Sequence, residues 1–331
     1  MPEPLWFILP VILLILAAEF VNGWTDAPNS IATVVSTRVL APYQAVLMAT
    51  CFNILGAMSG TAVAATIGTG IIDPGIINPT TVAAAMVGII LWSTFAYHVG
   101  GLPTSESHAL VAGLAGAGLA TAGPSVMLWD GWLKVLVGLF FSTFVGFLGG
   151  LGIMFLLYRF FYRSRPGLIR LVFGRLQVLS AAFMAFSHGS NDGQKFIGVF
   201  SLALVLGGVL PKFQVPIWVI LICATTMGIG TALGGWRIIQ TMGIRLTKLE
   251  PIHGFSAETS AAIVIEAASR LGIPLSTTHT IGTSIMGVGS IRSFSAVRWG
   301  LAREIVAAWI LTFPVCGLIA YVVAQLISFL S

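Results

Sequence analysis

Long apolar runs, interrupted by short polar clusters, extend along this chain from end to end. A helix needs about 20 mostly apolar residues to cross ~30 Å of hydrocarbon. Runs of this kind predict six membrane crossings, near 5–36, 44–70, 132–158, 176–209, 215–237 and 303–329. Two further stretches, 79–121 and 250–290, carry a Pro-x-Ser motif in their middle. We expect each of these two to form a helical hairpin that is broken at its tip.

The composition agrees with a membrane protein. Hydrophobic residues make up 57% of the chain and charged residues 8%, whereas soluble domains average about 25% charged residues. The pattern therefore predicts an all-α polytopic membrane protein. The first apolar run lacks a basic start, so we interpret it as a retained helix. The three cysteines have no metal-ligand spacing, and we expect no bound cofactor. In such a protein a net charge of +5 reports orientation in the bilayer and does not indicate a nucleic-acid partner.

The basic residues indicate which side of the membrane each connection faces. Five arginines fall within 159–175, which the positive-inside rule assigns to the cytoplasm. Counting crossings outward from this segment leaves only Lys134 and Lys212 outside. We therefore expect both termini on the extracytoplasmic side of the cell (plasma or inner) membrane.

Two pairs of motifs divide the chain into halves. Asp26 and Asp192 each lie in a polar cluster inside an apolar segment, and Pro103 and Pro274 begin the two hairpin tips. The motifs follow in the same order, at similar spacing. Each half holds three crossings and one re-entrant or broken hairpin, and an odd number of crossings inverts the second half. We predict a first inverted repeat at 1–158, an Arg-rich cytoplasmic linker at 159–175 and a second inverted repeat at 176–331.

The hairpin tips have the chemistry of helix starts. Proline suits the first turn, and neighbouring hydroxyls cap free N–H groups. A helix N-terminus carries a partial positive charge of roughly +0.5, so two facing tips would attract an anion. The alternative is that the hydroxyls only cap the helices. The candidate anion ligands at the tips are Thr104, Ser105, Ser107, Ser276, Thr277 and Thr278.

The aspartates predict a second component of the site. A carboxylate inside the membrane needs a partner, and carboxylate and amide oxygens suit a small hard cation such as Na⁺. A carboxylate can also carry a proton, or accept one from a protonated oxyanion, which favours phosphate over sulfate. The alternative is a structural aspartate, for which Lys195 would be the partner of Asp192.

The duplicated motifs argue against an enzyme, because an intramembrane hydrolase would need a single asymmetric nucleophile–base pair. Inverted repeats with broken helices at the midplane are typical of secondary transporters, which work by alternating access.

The motifs resemble those of the inorganic phosphate transporter (PiT) family. The resemblance is carried by the Asp clusters at 23–30 and 189–195, the tips at 103–108 and 274–279, and Gly-Phe-Ser-Ala-Glu at 254–258. It implies a sodium- or proton-coupled phosphate symporter that forms a homodimer and holds phosphate between the tips. A sulfate permease of the same family is the alternative.

The resemblance also implies roles for particular residues. Five polar residues of the Asp motifs would join the tip hydroxyls in binding phosphate, namely Asp26, Asn29, Asn191, Asp192 and Gln194. The coupling Na⁺ or H⁺ would be bound by Asp26, Asn29, Asn191, Asp192 and Glu258. Two residues depart from the family pattern: Thr25 stands where Asn or His is usual, and Glu106 where Ser or Thr is usual.

Overall fold

The computed structural model describes residues 8–330 and confirms the all-α prediction. The helices of the first half are α1 (Leu9–Thr25), α2 (Pro28–Ser36), α3 (Pro42–Ala57), α4 (Ala62–Gly70), α5 (Pro79–Gly100), α6 (Glu106–Ala122) and α7 (Trp129–Phe161). Those of the second half are α8 (Pro166–His188), α9 (Gln194–Leu206), α10 (Ile217–Ala232), α11 (Trp236–Ile239), α12 (Pro251–Arg270), α13 (Thr277–Arg292) and α14 (Trp299–Leu330). Residues 5–7 of the first predicted crossing lie outside the described range.

Each of the six predicted crossings corresponds to a long helix or a pair of consecutive helices. Among the described residues, α1–α2, α7, α8–α9 and α14 are long and apolar enough to span a membrane. The helices α3 and α4 pass this test only together, with a bend of 67°, as do α10 and the helical segment Trp236–Arg245, with a bend of 65°. Such a bent pair is either a broken span or a re-entrant segment. Helix α5, which we expected to be a hairpin arm, also qualifies by its 22 residues. Length and apolar character therefore do not distinguish this arm from a crossing.

The predicted linker at 159–175 is largely helical. Helix α7 continues to Phe161, α8 begins at Pro166, and residues 162–165 connect them. The division of the chain at this segment stays a prediction.

Both hairpins turn on a glycine in the left-handed conformation. Gly101 has φ 58° and Gly272 has φ 66°, and each stands two residues before the proline that opens its tip. Only glycine adopts this conformation without strain. The two tips are therefore reached by the same local geometry.

The return helix of each hairpin packs closely on a long helix of the other half. A Cβ at Gly116 of α6 would lie 2.0 Å from the carbonyl oxygen of Gly317 on α14. A Cβ at Gly150 of α7 would lie 2.4 Å from the carbonyl oxygen of Ser284 on α13. Small residues at both contacts let the backbones approach, as in other membrane helix pairs. Because each return helix packs against the other half of the chain, the two tips come together at the centre.

Candidate functional site

The two hairpin tips meet end to end. Ser105 caps α6 and Ser276 caps α13, since their side chains accept hydrogen bonds from the backbone N–H groups of His108 and His279. Ser105 Oγ also donates to Ser276 Oγ at 2.8 Å. The positive ends of two helices therefore face one another, as the sequence predicts.

The contacts around this serine pair repeat with pseudo-two-fold symmetry. Ser107 Oγ donates to the carbonyl of Leu275 at 2.7 Å, and Thr278 Oγ1 donates to the carbonyl of Thr104 at 2.9 Å. Residues 104 and 275 occupy the same place in the two tips. Each tip therefore holds the other through a matching hydroxyl.

Asp26 lies where the first crossing is interrupted. Helix α1 ends at Thr25 and α2 begins at Pro28. The Asp26 carboxylate accepts a hydrogen bond from Asn29 and contacts the hydroxyl of Thr278 on the opposite tip. The interruption thus aims the carboxylate of the first half at the hairpin of the second half.

Asp192 lies in a π-helical segment, Gly189–Gly193, which joins α8 to α9. Its carboxylate forms an ion pair with Lys195, lies 3.2 Å from His188 Nε2 and accepts a hydrogen bond from Thr277 at 2.7 Å. The structure confirms Lys195 as the partner of Asp192. The sequence analysis did not predict His188 as a partner, although its i,i+4 spacing from Asp192 is a local signal for this contact.

Asn29 and Lys195 occupy matching positions in the two halves. Each follows its aspartate by three residues and donates to it. Lys195 also donates to Ser107 of the first tip, and Asn29 donates to Thr278 of the second tip at 3.1 Å. Because one residue is charged and the other neutral, Asp192 is compensated by a cation and Asp26 is not.

Two candidate amides, Asn191 and Gln194, lie apart from this centre. Asn191 donates to Ser269 Oγ at 2.9 Å and to the Ile273 carbonyl at 3.2 Å, so it supports the approach to the second tip. Gln194 accepts from the backbone N–H of Val63 at 3.0 Å. These contacts place both amides beside the tip region rather than between the tips.

Glu258 forms a separate buried cluster. Its carboxylate accepts hydrogen bonds from Thr33 and Ser180, and from Gln177 at 3.1 Å. The predicted cation ligands therefore do not form a single group. Among the described residues, the group of three that brings carboxylate or histidine ligand atoms within 4.8 Å of one another consists of Asp26, His188 and Asp192.

Two residues from other helices contact the tips and were not predicted as ligands. Trp309 of α14 donates from its indole to the carbonyl of Pro103 at 3.0 Å and stacks on the ring of His279 at 3.9 Å. Thr25 Oγ1 lies 3.1 Å from the carboxylate of Glu106. Both contacts join distant parts of the chain, which no local pattern reports.

The site between the tips is closed to solvent. Asp26, Ser105 and Asp192 are each at most 1% exposed. A separate cavity of about 810 Å³ opens beside the end of α2 and is lined by Thr37, Arg170 and other residues. Three polar side chains, four residues apart, follow one face of α2 from the site to this cavity. Asn29 lies at the centre, Thr33 donates to Glu258, and Thr37, directly after α2, donates to Gln177 at 2.8 Å.

A polytopic helical protein with facing helix ends and buried charges at its centre has the architecture of a membrane transporter. A model of the phosphate transporter family matches the chain twice, at residues 22–171 and 166–320. The chain therefore belongs to the phosphate transporter family. The two matches also confirm two repeats, and the membership confirms that the chain is not an enzyme.

Curated relatives match over nearly the whole chain. A protein of Rhizobium meliloti named as a probable low-affinity inorganic phosphate transporter is 47% identical over 94% of each chain. A Bacillus subtilis protein of the same description is 36% identical over 96% of this chain and 97% of its own length. A solved structure, of a sodium-dependent phosphate transporter, has a TM-score of 0.90 at 23% identity and covers 99% of this chain and 100% of its own. This last similarity shows the fold. The sulfate alternative gains no support from these comparisons.

Proposed function

We propose that this chain imports inorganic phosphate by symport with Na⁺ or H⁺, through alternating access. The observation that carries the proposal is the meeting of the N-termini of α6 and α13 at the Ser105–Ser276 pair. Two helix ends supply unpaired N–H groups and positive potential, which suit an oxyanion.

Phosphate would bind between the tips by replacing the hydroxyl contacts that now join them. When the tips part, Ser107 loses its acceptor, Leu275 O, and can donate to a phosphate oxygen instead. Thr278 loses its contact with Thr104 O and keeps its contact with the Asp26 carboxylate. Lys195 is the buried cation of this centre and would attract the anion. We retain all the tip hydroxyls as proposed ligands, with Asn191 and Gln194 supporting the tips from the side.

A coupling cation follows from the charge of the site. Asp26 and Asp192 face the same centre as the anion, and Lys195 compensates only one of them. Cation or proton binding at Asp26 and Asn29 would remove the repulsion that a phosphate anion meets there. The name of the sodium-dependent protein with the same fold favours Na⁺.

Glu258 would take part at a later step. Its carboxylate contacts Thr33 of α2, which lies between the centre and the cavity. A cation or proton released from Asp26 would therefore meet this carboxylate on the way to the cytoplasm.

The test is uptake of labelled phosphate and sulfate into proteoliposomes, with Na⁺ and pH gradients imposed separately. We expect phosphate uptake driven by at least one gradient. Uptake of sulfate but not of phosphate would contradict phosphate as the substrate. Phosphate uptake at the same rate with and without each gradient would contradict symport.

The orientation and assembly are also proposed. We place 159–175 in the cytoplasm and both termini outside the cell membrane, because basic residues concentrate on one side. Labelling of a Ser164→Cys variant from outside intact cells would contradict this orientation.

We also propose that the protein forms a homodimer. If crosslinking in membranes yields only monomers, the dimer is contradicted.

A further inference from the structure

The two hairpin tips differ in charge at one matched position. The first reads Pro-Thr-Ser-Glu-Ser-His and the second Pro-Leu-Ser-Thr-Thr-His, so Glu106 occupies the place of Thr277. Thr277 donates a hydrogen bond to Asp192. Glu106, in contrast, adds a second carboxylate to the half whose aspartate has no cation.

The Glu106 carboxylate is buried, and its hydrogen-bond donors are neutral hydroxyl groups. It is 1% exposed, and its Oε1 lies 3.1 Å from Thr25 Oγ1 and 3.4 Å from Thr104 Oγ1. The single proton of the Thr25 hydroxyl has a closer acceptor, the carbonyl of Val21 at 2.8 Å. The Thr25 hydroxyl therefore gives Glu106 at most a shared hydrogen bond, and the hydrogen bond from Thr104 is long.

A third hydroxyl lies beside the carboxylate. Ser93 is fully buried, and its hydroxyl donates a hydrogen bond to Glu106. The oxygens around Glu106 thus come from Thr25, Ser93 and Thr104, all of them neutral. Carboxylate and hydroxyl oxygens are hard ligands that suit a small cation.

The charges near Glu106 determine the sign of a ligand that would fit there. The groups that interact with it electrostatically include Asp26, Asp192 and Glu19, all acidic. Lys195 is engaged by Asp192, and Glu106 makes no ion pair within residues 8–330. Burial of an unpaired carboxylate is unfavourable unless its charge is neutralised.

We propose that Glu106, with the hydroxyls of Thr25, Ser93 and Thr104, binds a monovalent cation, either Na⁺ or a proton. This site lies at the first tip, beyond the ligands assigned above to the Asp motifs and to Glu258. Its role in coupling rests on the proposed symport, but cation binding itself does not. Neutralising Glu106 removes a negative charge beside the N-terminus of α6, where the anion is proposed to bind.

The test measures cation binding in the purified full-length protein without phosphate. Binding of radiolabelled Na⁺ reports a sodium site, and infrared difference spectra report the C=O stretch of a protonated buried carboxyl. We expect Glu106→Gln either to weaken Na⁺ binding at least tenfold or to remove the carboxyl band. The first result identifies the ligand as Na⁺ and the second as a proton.

Two variants serve as checks. Glu106→Thr gives the first tip the residue of the second and should reproduce the effect of Glu106→Gln, which guards against misfolding of either variant. Glu304→Gln removes an exposed carboxylate on α14 and should bind cations like the wild type.

Several results would overturn the site. A wild-type protein with neither bound Na⁺ nor a protonated carboxyl lacks it, and so does a folded Glu106 variant that retains both signals of the wild type. An equal loss in Glu304→Gln would show that the effect does not arise at the first tip. Absence of phosphate uptake would refute the proposed function but would leave these binding results readable.

Discussion

Ser105 and Ser276 share a hydrogen bond of 2.8 Å although 171 positions separate them in the chain. Each caps its own helix, and together they join the two hairpins. Each serine therefore stabilises the start of its own helix and also holds the two halves of the chain together.

The serine pair should therefore show energetic coupling. Replacing either serine by Ala removes an N-cap, which should lower the free energy of unfolding by about 1 kcal/mol, and also breaks the hydrogen bond between the tips, which should cost about 0.5–1.5 kcal/mol more. Because both variants break the same hydrogen bond, the double variant should cost about 0.5–1.5 kcal/mol less than the sum. Unfolding in detergent measures this, with Ser125→Ala at an exposed turn as control. Strict additivity would contradict a cross-tip bond.

Lys195 should be essential for folding stability. Lys195→Gln leaves Asp192 buried without its cation, which typically costs about 3–5 kcal/mol. The double variant Asp192→Asn with Lys195→Gln should recover most of that loss while phosphate uptake stays impaired. Arg270→Gln removes a pair whose arginine is 65% exposed and should cost no more than about 1 kcal/mol. A single Lys195 variant as stable as the wild type would refute the assigned partnership.

Asp26 should be required for coupling rather than for folding. It has hydrogen-bond partners but no cation, so Asp26→Asn retains hydrogen-bonding capacity and removes the charge. We expect the protein to remain folded and gradient-driven phosphate uptake to fall at least tenfold. Asp130→Asn, at the exposed start of α7, is the control. Normal coupling in Asp26→Asn would refute its role.

Glu258 should affect cation-driven transport more than exchange. Its cluster lies away from the tips, so Glu258→Gln should leave phosphate binding in place and weaken the release of the coupled cation. Uptake driven by a gradient should therefore fall several-fold more than phosphate–phosphate exchange in the same vesicles. Glu266→Gln, on the same helix, should preserve the ratio of the two rates. An equal fall in uptake and exchange would assign Glu258 a structural role instead.

The turn glycines should tolerate no side chain. Gly272→Ala places a Cβ on a left-handed backbone, 3.0 Å from the carbonyl oxygen of Ala62, and should destabilise the protein by about 1–2 kcal/mol. Gly174→Ala, in open space on α8, should be neutral or stabilising because Ala favours a helix. Thermal unfolding compares the two. An equal melting temperature for Gly272→Ala and wild type would contradict the strained turn.

Much of the centre was predictable because its signals are local. Asp192 and Lys195 are three residues apart, so any helical geometry brings them together. The Pro-x-Ser tips contain their own caps, and the matched order of motifs predicted that tips and aspartates converge. Glu258 could not be placed in this way, because its partners Thr33 and Ser180 lie on two other helices.

The sequence alone determined the membrane class, the apolar segments, the two repeats and the helix starts at the tips, since these depend on composition, apolar length, repeated motifs and local capping. The tertiary structure decided which side chains meet across the halves. Ser105 contacts Ser276, and Glu106 contacts Thr25, which is 81 positions away. These contacts form because close backbone approaches, such as that of Gly116 to Gly317, determine how the helices cross. Such contacts depend on matched shapes of distant segments, which no periodicity within one segment records.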